Sequence, residues 1–116
     1  MSEKRMRRVN EAIREVLSEA VAEGLKDPRI GFVTITSVDT TADLRSARVY
    51  VSVLGDERAR DDTLAGLENS RGYLQALIGR ELGLKRTPLL SFVHDDSIDY
   101  GFHIDKLLQE TERREE

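Results

Sequence analysis

The chain has 116 residues, no cysteine, and 22 acids against 18 lysines and arginines, for a formal net charge of -4. That length suits one domain able to bury roughly two thirds of its unfolded surface, and the lack of cysteine removes disulfides, thiolate metal ligands and a thiol nucleophile. The acidic balance argues against indiscriminate nucleic-acid binding, ordinarily the work of basic domains. No stretch has the apolar run of a signal peptide or a membrane span, so a soluble cytoplasmic protein is expected.

From near Lys4, the residues Met6, Val9, Ile13, Val16, Leu17, Ala20 and Val21 recur at three- and four-residue intervals, which predicts an amphipathic helix. It should end at Gly24, in the left-handed conformation with Leu25 folding back, and Pro28 in "LKDPRIG" prevents resumption. Lys4, Arg5, Arg7 and Arg8 oppose the positive end of this helix's dipole, by tenths of a kcal/mol per charge. They are either a solvated face, with Arg7 and Arg8 reaching Glu11 and Glu15 at helical spacing, or a phosphate-contacting set.

The period then changes. "GFVTITSV" is dense in β-branched residues and "ARVYVSVL" alternates Ala47, Val49, Val51 and Val53 against Arg48, Tyr50, Ser52 and Leu54. "DTTADLRS" between them is too short for a crossover helix, so an antiparallel hairpin is expected. Apolar parity slips between Ile35 and Val38, and a bulge near Thr36 and Ser37 would restore it.

After the charged stretch "GDERARDD", Leu64, Leu67, Leu74, Leu77 and Ile78 return to helical spacing up to Gly83, the expected C-cap. Gly72 interrupts this pattern, at about 1 kcal/mol relative to alanine in a helix interior. The local pattern reads best as a packing kink at Ser70, Arg71 and Gly72, with an anion site at a helix start as the weaker alternative. A third strand follows at "PLLSFVH", where Leu90 and Phe92 alternate with Ser91 and Val93 behind Pro88. Ile104, Leu107 and Leu108 suggest a short final helix. A single domain over residues 1–108 with a frayed, charged tail over 109–116 is therefore expected.

Charge is unevenly spread. Residues 1–14 carry a net +3, residues 71–86, with Arg71, Arg80, Lys85 and Arg86 against Glu81, another +3, and residues 95–116 a net -5. A one-sided electrostatic face follows from this asymmetry. Catalytic chemistry is sparse. His94 and His103, with Asp95, Asp96, Asp99 and Asp105, lack metal-ligand spacing, and Asp95, Asp96, Ser97 and Asp99 suit a helix start instead. There is no nucleophile elbow and no phosphate-binding glycine loop.

The ordered motifs "DPRIGFVTIT", "ADLRSARVYVSVLG" and "TPLLSFVHDDS", within a match that runs over nearly the whole chain, resemble the bacterial ribosome-binding factor A family. The resemblance implies an α+β, type II KH-like domain in the order α-β-β-α-kink-α-β plus a short C-terminal helix, with a three-stranded sheet packed on helices. In that family the usual Gly-x-x-Gly loop is replaced by a helix-kink-helix carrying Ala-x-Gly. Gly72 matches its glycine, whereas Ser70 stands where alanine is common. The implied function is non-catalytic: a monomer binding the 30S subunit and its 16S rRNA during late maturation and 5′-end processing, with importance at low temperature. No cofactor and no metal are implied. The candidate RNA-binding residues are Lys4, Arg5, Arg7, Arg8, Arg71, Arg80, Lys85 and Arg86.

Overall fold

The computed structural model describes residues 3–95, in the order α1 (Glu3–Glu23), β1 (Val33–Thr40), β2 (Ser46–Val53), α2 (Glu57–Asn69), α3 (Arg71–Leu82) and β3 (Leu89–His94). The expected final helix, its caps at Asp96, Ser97 and Asp99, and the division between domain and tail lie outside the described residues, whereas Asp95, the first of that expected capping group, donates its N–H to Val51 O at 2.7 Å and accepts from Thr36 Oγ1 at 2.9 Å. The order and the three-stranded sheet are those of the expected α+β, type II KH-like fold.

β1 and β2 pair antiparallel, and the register shifts between Ile35 and Ser37. The extra residue is Thr36, and this bulge is what brings Val38 back to the core face beside Ile35. The hairpin turn is unusual in one respect, since the left-handed backbone falls on Leu44, at φ 60°, rather than on a glycine. β3 joins the far side of β2 in parallel, which the length of the α2–α3 crossover permits.

One face of the sheet presents Ile35, Val38, Ala47, Val49, Val51, Val53 and Leu90 to Ile13, Leu17 and Ala20 of α1, Leu67 of α2, and Leu74 and Ile78 of α3. α1 stops where the sequence places its end, with Gly24 at φ 97°, and α3 stops at Gly83, at φ 62°. Asn69, Ser70 and Tyr73 share a hollow with residues 24–28, whereas Leu77 and Glu81 share one with Val16, Glu19, Ala20 and Glu23. α3 therefore runs back along α1 in the opposite direction. No described helix is long and apolar enough to cross a membrane.

Candidate nucleic-acid interface

The break between α2 and α3 falls on Ser70, which leaves helical geometry at φ -90° and ψ 1°. Its amide donates back to Gly66 O and Leu67 O, and its hydroxyl donates to Gly66 O at 3.0 Å. The hydroxyl is thereby held by α2 and makes no cap for α3. The structure corrects the reading of Gly72 as a packing kink. Gly72 is the second residue of α3, its φ is not positive, and nothing lies within 4 Å of where a Cβ would stand.

Next to the break, the glycine that packs is Gly66, on α2; farther along α3, Gly79 packs against Thr87, whose Cγ2 would lie 2.8 Å from a Cβ there. A Cβ on Gly66 would stand 2.6 Å from Ile30 Cγ1 and 3.3 Å from Ile30 N, so its bare surface is what admits the loop after α1. That loop is tied down at several points. Gly31 N donates to Oγ1 of the fully buried Thr63 at 3.1 Å. Asp27 accepts from Arg29 through Nε at 3.0 Å, the terminal nitrogen at 2.7 Å and the backbone N–H at 3.0 Å, and from Asn69 Nδ2 at 3.1 Å. The Arg29 side chain and amide, with Asn69, hold the Asp27 carboxyl far below the usual carboxylate range. "DPRIG" is thus a clasp that fastens the loop to α2 just before the kink.

The basic residues are not all brought together. Glu11, expected to meet Arg7, is taken by Arg14, whose Nε lies 3.0 Å away and whose guanidinium lowers the Glu11 pKa. Arg7 lines a hollow against Thr36, Ser37 and Val38, on the β1 flank of α1, while Val16, Glu19, Ala20 and Glu23 make the flank toward α3. Arg71 sits at the start of α3 and pairs with Glu68, at the opposite end from Arg80. No hydrogen bond or ion pair among the described residues holds the side chains of Lys4, Arg7, Arg8, Arg80, Lys85 or Arg86.

The sheet nevertheless gives these charges a common end. Asn10 Oδ1 accepts from Thr40 N at 2.9 Å, which sets the basic half of α1 beside the end of β1. Leu89 N donates to Arg45 O at 2.8 Å, so β3 begins at that same end and Lys85 and Arg86 lie in the connection leading to it. Arg45 and Arg48, which sequence reasoning left out, join the set there, tempered by Glu3, Asp39 and Asp43. At the other end lie Glu19 and Glu23 of α1 and Asp56, Glu57, Asp61 and Asp62 at the start of α2, tempered by Lys26, Arg29, Arg58 and Arg60. An acidic protein thus carries a cationic pole. Among the described residues no group of three or more His, Cys, Asp or Glu is placed to hold a metal ion.

Comparison with known proteins agrees with the resemblance. The family model of ribosome-binding factor A matches residues 5–108. A Geobacter sulfurreducens ribosome-binding factor A is 49% identical over 108 residues, which cover 93% of this chain and 92% of the relative. The crystal structure of ribosome-binding factor A from Thermus thermophilus superposes with a TM-score of 0.67 at 25% identity, over 77% of this chain and 94% of that one. The solution structure of a Thermotoga maritima protein assigned as a ribosome binding factor A gives 0.73 at 32% identity, over 84% and 92%. A model of the Thermus thermophilus protein, fitted into a cryo-electron-microscopy map of its complex with the 30S subunit, gives 0.56 at 27% identity, over 73% and 93%.

Proposed function

Because the chain belongs to the ribosome-binding factor A family, we propose that it is a non-catalytic assembly factor that binds the free 30S subunit in the cytoplasm as a monomer. On this reading it assists late maturation of 16S rRNA, including processing of the 5′ end, and matters most at low temperature. The observation that carries the reading is the cationic pole built by Lys4, Arg5, Arg7 and Arg8 with Lys85 and Arg86, in a chain of net charge -4. Phosphates would displace their own counterions onto such a surface, while the acidic remainder discourages contacts elsewhere on RNA. Arg80, exposed in the last turn of α3, extends this surface, and Arg71 belongs to the kink.

The Thermus thermophilus relative seen with a 30S subunit supports the choice of partner. Such a factor needs no catalytic group, because occupancy of one rRNA conformation shifts the population toward it. Sedimentation of extract tests the reading: the protein should travel with free 30S subunits, and cells lacking it should accumulate 5′-extended 16S rRNA when grown cold. Recovery wholly at the top of the gradient, with normal rRNA ends, contradicts it.

A further inference from the structure

The acidic stretch that carries the chain away from β3 has no part in the account so far. Residues 95–105 hold Asp95, Asp96, Asp99 and Asp105 and neither lysine nor arginine. The first of these is fixed by the sheet. Asp95 N–H donates to Val51 O at 2.7 Å and its carboxylate accepts from Thr36 Oγ1 at 2.9 Å, so the side chain reaches past β2 to the bulge of β1. Thr36 is also one wall of a hollow of about 460 Å³, whose opposite wall is the first half of α1, with Arg7, Asn10 and Arg14. Arg14 is held there by Glu11, and no hydrogen bond or ion pair among the described residues holds Arg7 or, one turn before it, Lys4. Glu3 is the acid that remains beside them. The chain therefore leaves the sheet at the wall of an open cationic hollow. The ten residues 96–105 extend up to about 33 Å, against about 10 Å across three strands.

Resting on the 30S reading above, we propose that in the free protein residues 96–105 lie in this hollow, where the carboxylates of Asp96, Asp99 and Asp105 occupy the cations that rRNA phosphates take in the complex. The occupant is the chain's own segment because it starts at the hollow's wall and carries only charge opposite to the pole's before Lys106. A passing RNA then has to displace carboxylates, and only a site that offers several phosphates at once wins, which is specificity by a built-in competitor. Displacing carboxylates releases fewer salt ions than displacing counterions does, so the segment also flattens the salt dependence of RNA binding.

The test uses the full chain. A nitroxide on His103→Cys, in a chain with no other cysteine, should broaden the amide signals of Arg7, Asn10 and Ser37. About 1 M salt, which confines electrostatic reach to about 3 Å, should restore them. No broadening overturns the inference, as does broadening only between labelled and unlabelled copies, which would give the hollow to a second molecule. Asp96→Asn with Asp99→Asn and Asp105→Asn should bind oligouridylate several-fold more tightly than the unaltered protein, with a steeper fall of log affinity with log salt. Arg7→Gln in that background should reverse both changes. Glu19→Gln with Glu23→Gln and Glu57→Gln, the same change of charge at the other end of the molecule, should do much less. If the aspartate variant binds oligouridylate with unchanged affinity and slope, or the glutamate variant gains as much, the inference is overturned while the 30S reading stands. If the unaltered protein does not bind 30S subunits, the 30S reading falls and the competition with rRNA falls with it, whatever the label shows.

Discussion

Two glycines flank the Ser70 kink, Gly66 on α2 and Gly72 on α3. A Cβ on the first would press on Ile30 at 2.6 Å, and a Cβ on the second would meet nothing within 4 Å. Gly66 is explained by the fold, since it lets the "DPRIG" clasp sit down on α2. Gly72 is not, since no contact among the described residues calls for a glycine there. The difference teaches that a glycine in a helical pattern signals a contact only once the space around it is known.

The closed side of the kink should be the sensitive one. Leu74→Ala, which empties a fully packed position two residues after Gly72, should cost about 2 to 5 kcal/mol in urea unfolding, and a loss below about 1 kcal/mol would show that the core face of α3 is misassigned. Gly66→Ala should cost about 1 to 3 kcal/mol, because Ile30 and its backbone have to give way. No loss there would dissolve the contrast with Gly72. Thr63→Val keeps the shape but leaves the Gly31 N–H without its acceptor, and should cost about 1 to 3 kcal/mol by the same measurement.

Asp27 sharpens the comparison by pH. Its carboxyl binds protons more weakly folded than unfolded, so its contribution is present above the ordinary aspartate value of about 3.9 and is lost as pH falls below it. Urea midpoints should therefore separate Asp27→Asn from the unaltered protein near neutrality and converge in acid. Equal midpoints at all pH values would mean the clasp is energetically idle. The smallest effect belongs to Ser70→Ala, within about 1 kcal/mol, since Gly66 O keeps the Ser70 amide when the hydroxyl is gone.

Most of the scaffold was legible because each element obeys one local rule. The stripe from Met6 to Val21 buries Ile13, Leu17 and Ala20, the parity slip after Ile35 is the Thr36 bulge, and Gly24 and Gly83 end their helices as left-handed residues. What escaped was non-local. The role of Gly66 depends on Ile30, thirty-six residues earlier in the chain, and that of Asp27 on Asn69. The left-handed Leu44 breaks its own residue preference inside an otherwise ordinary turn. Arg45 and Arg48 could be read as outward-facing, but their share in the cationic pole required knowing which strand ends meet the start of α1. The same ignorance placed Arg71 with Arg80, although a helix length separates them.

The central claim is that the cationic pole meets rRNA phosphates. The direct measurement is the affinity of purified 30S subunits for the unaltered protein, for Arg7→Glu with Arg8→Glu, and for Arg80→Glu with Lys85→Glu, each across a salt series with circular dichroism to confirm folding. Both variants should stay folded, bind more weakly, and show a shallower fall of log affinity with log salt, by about one unit for each phosphate contact removed. Folded variants that keep the affinity and the salt slope of the unaltered protein would contradict it.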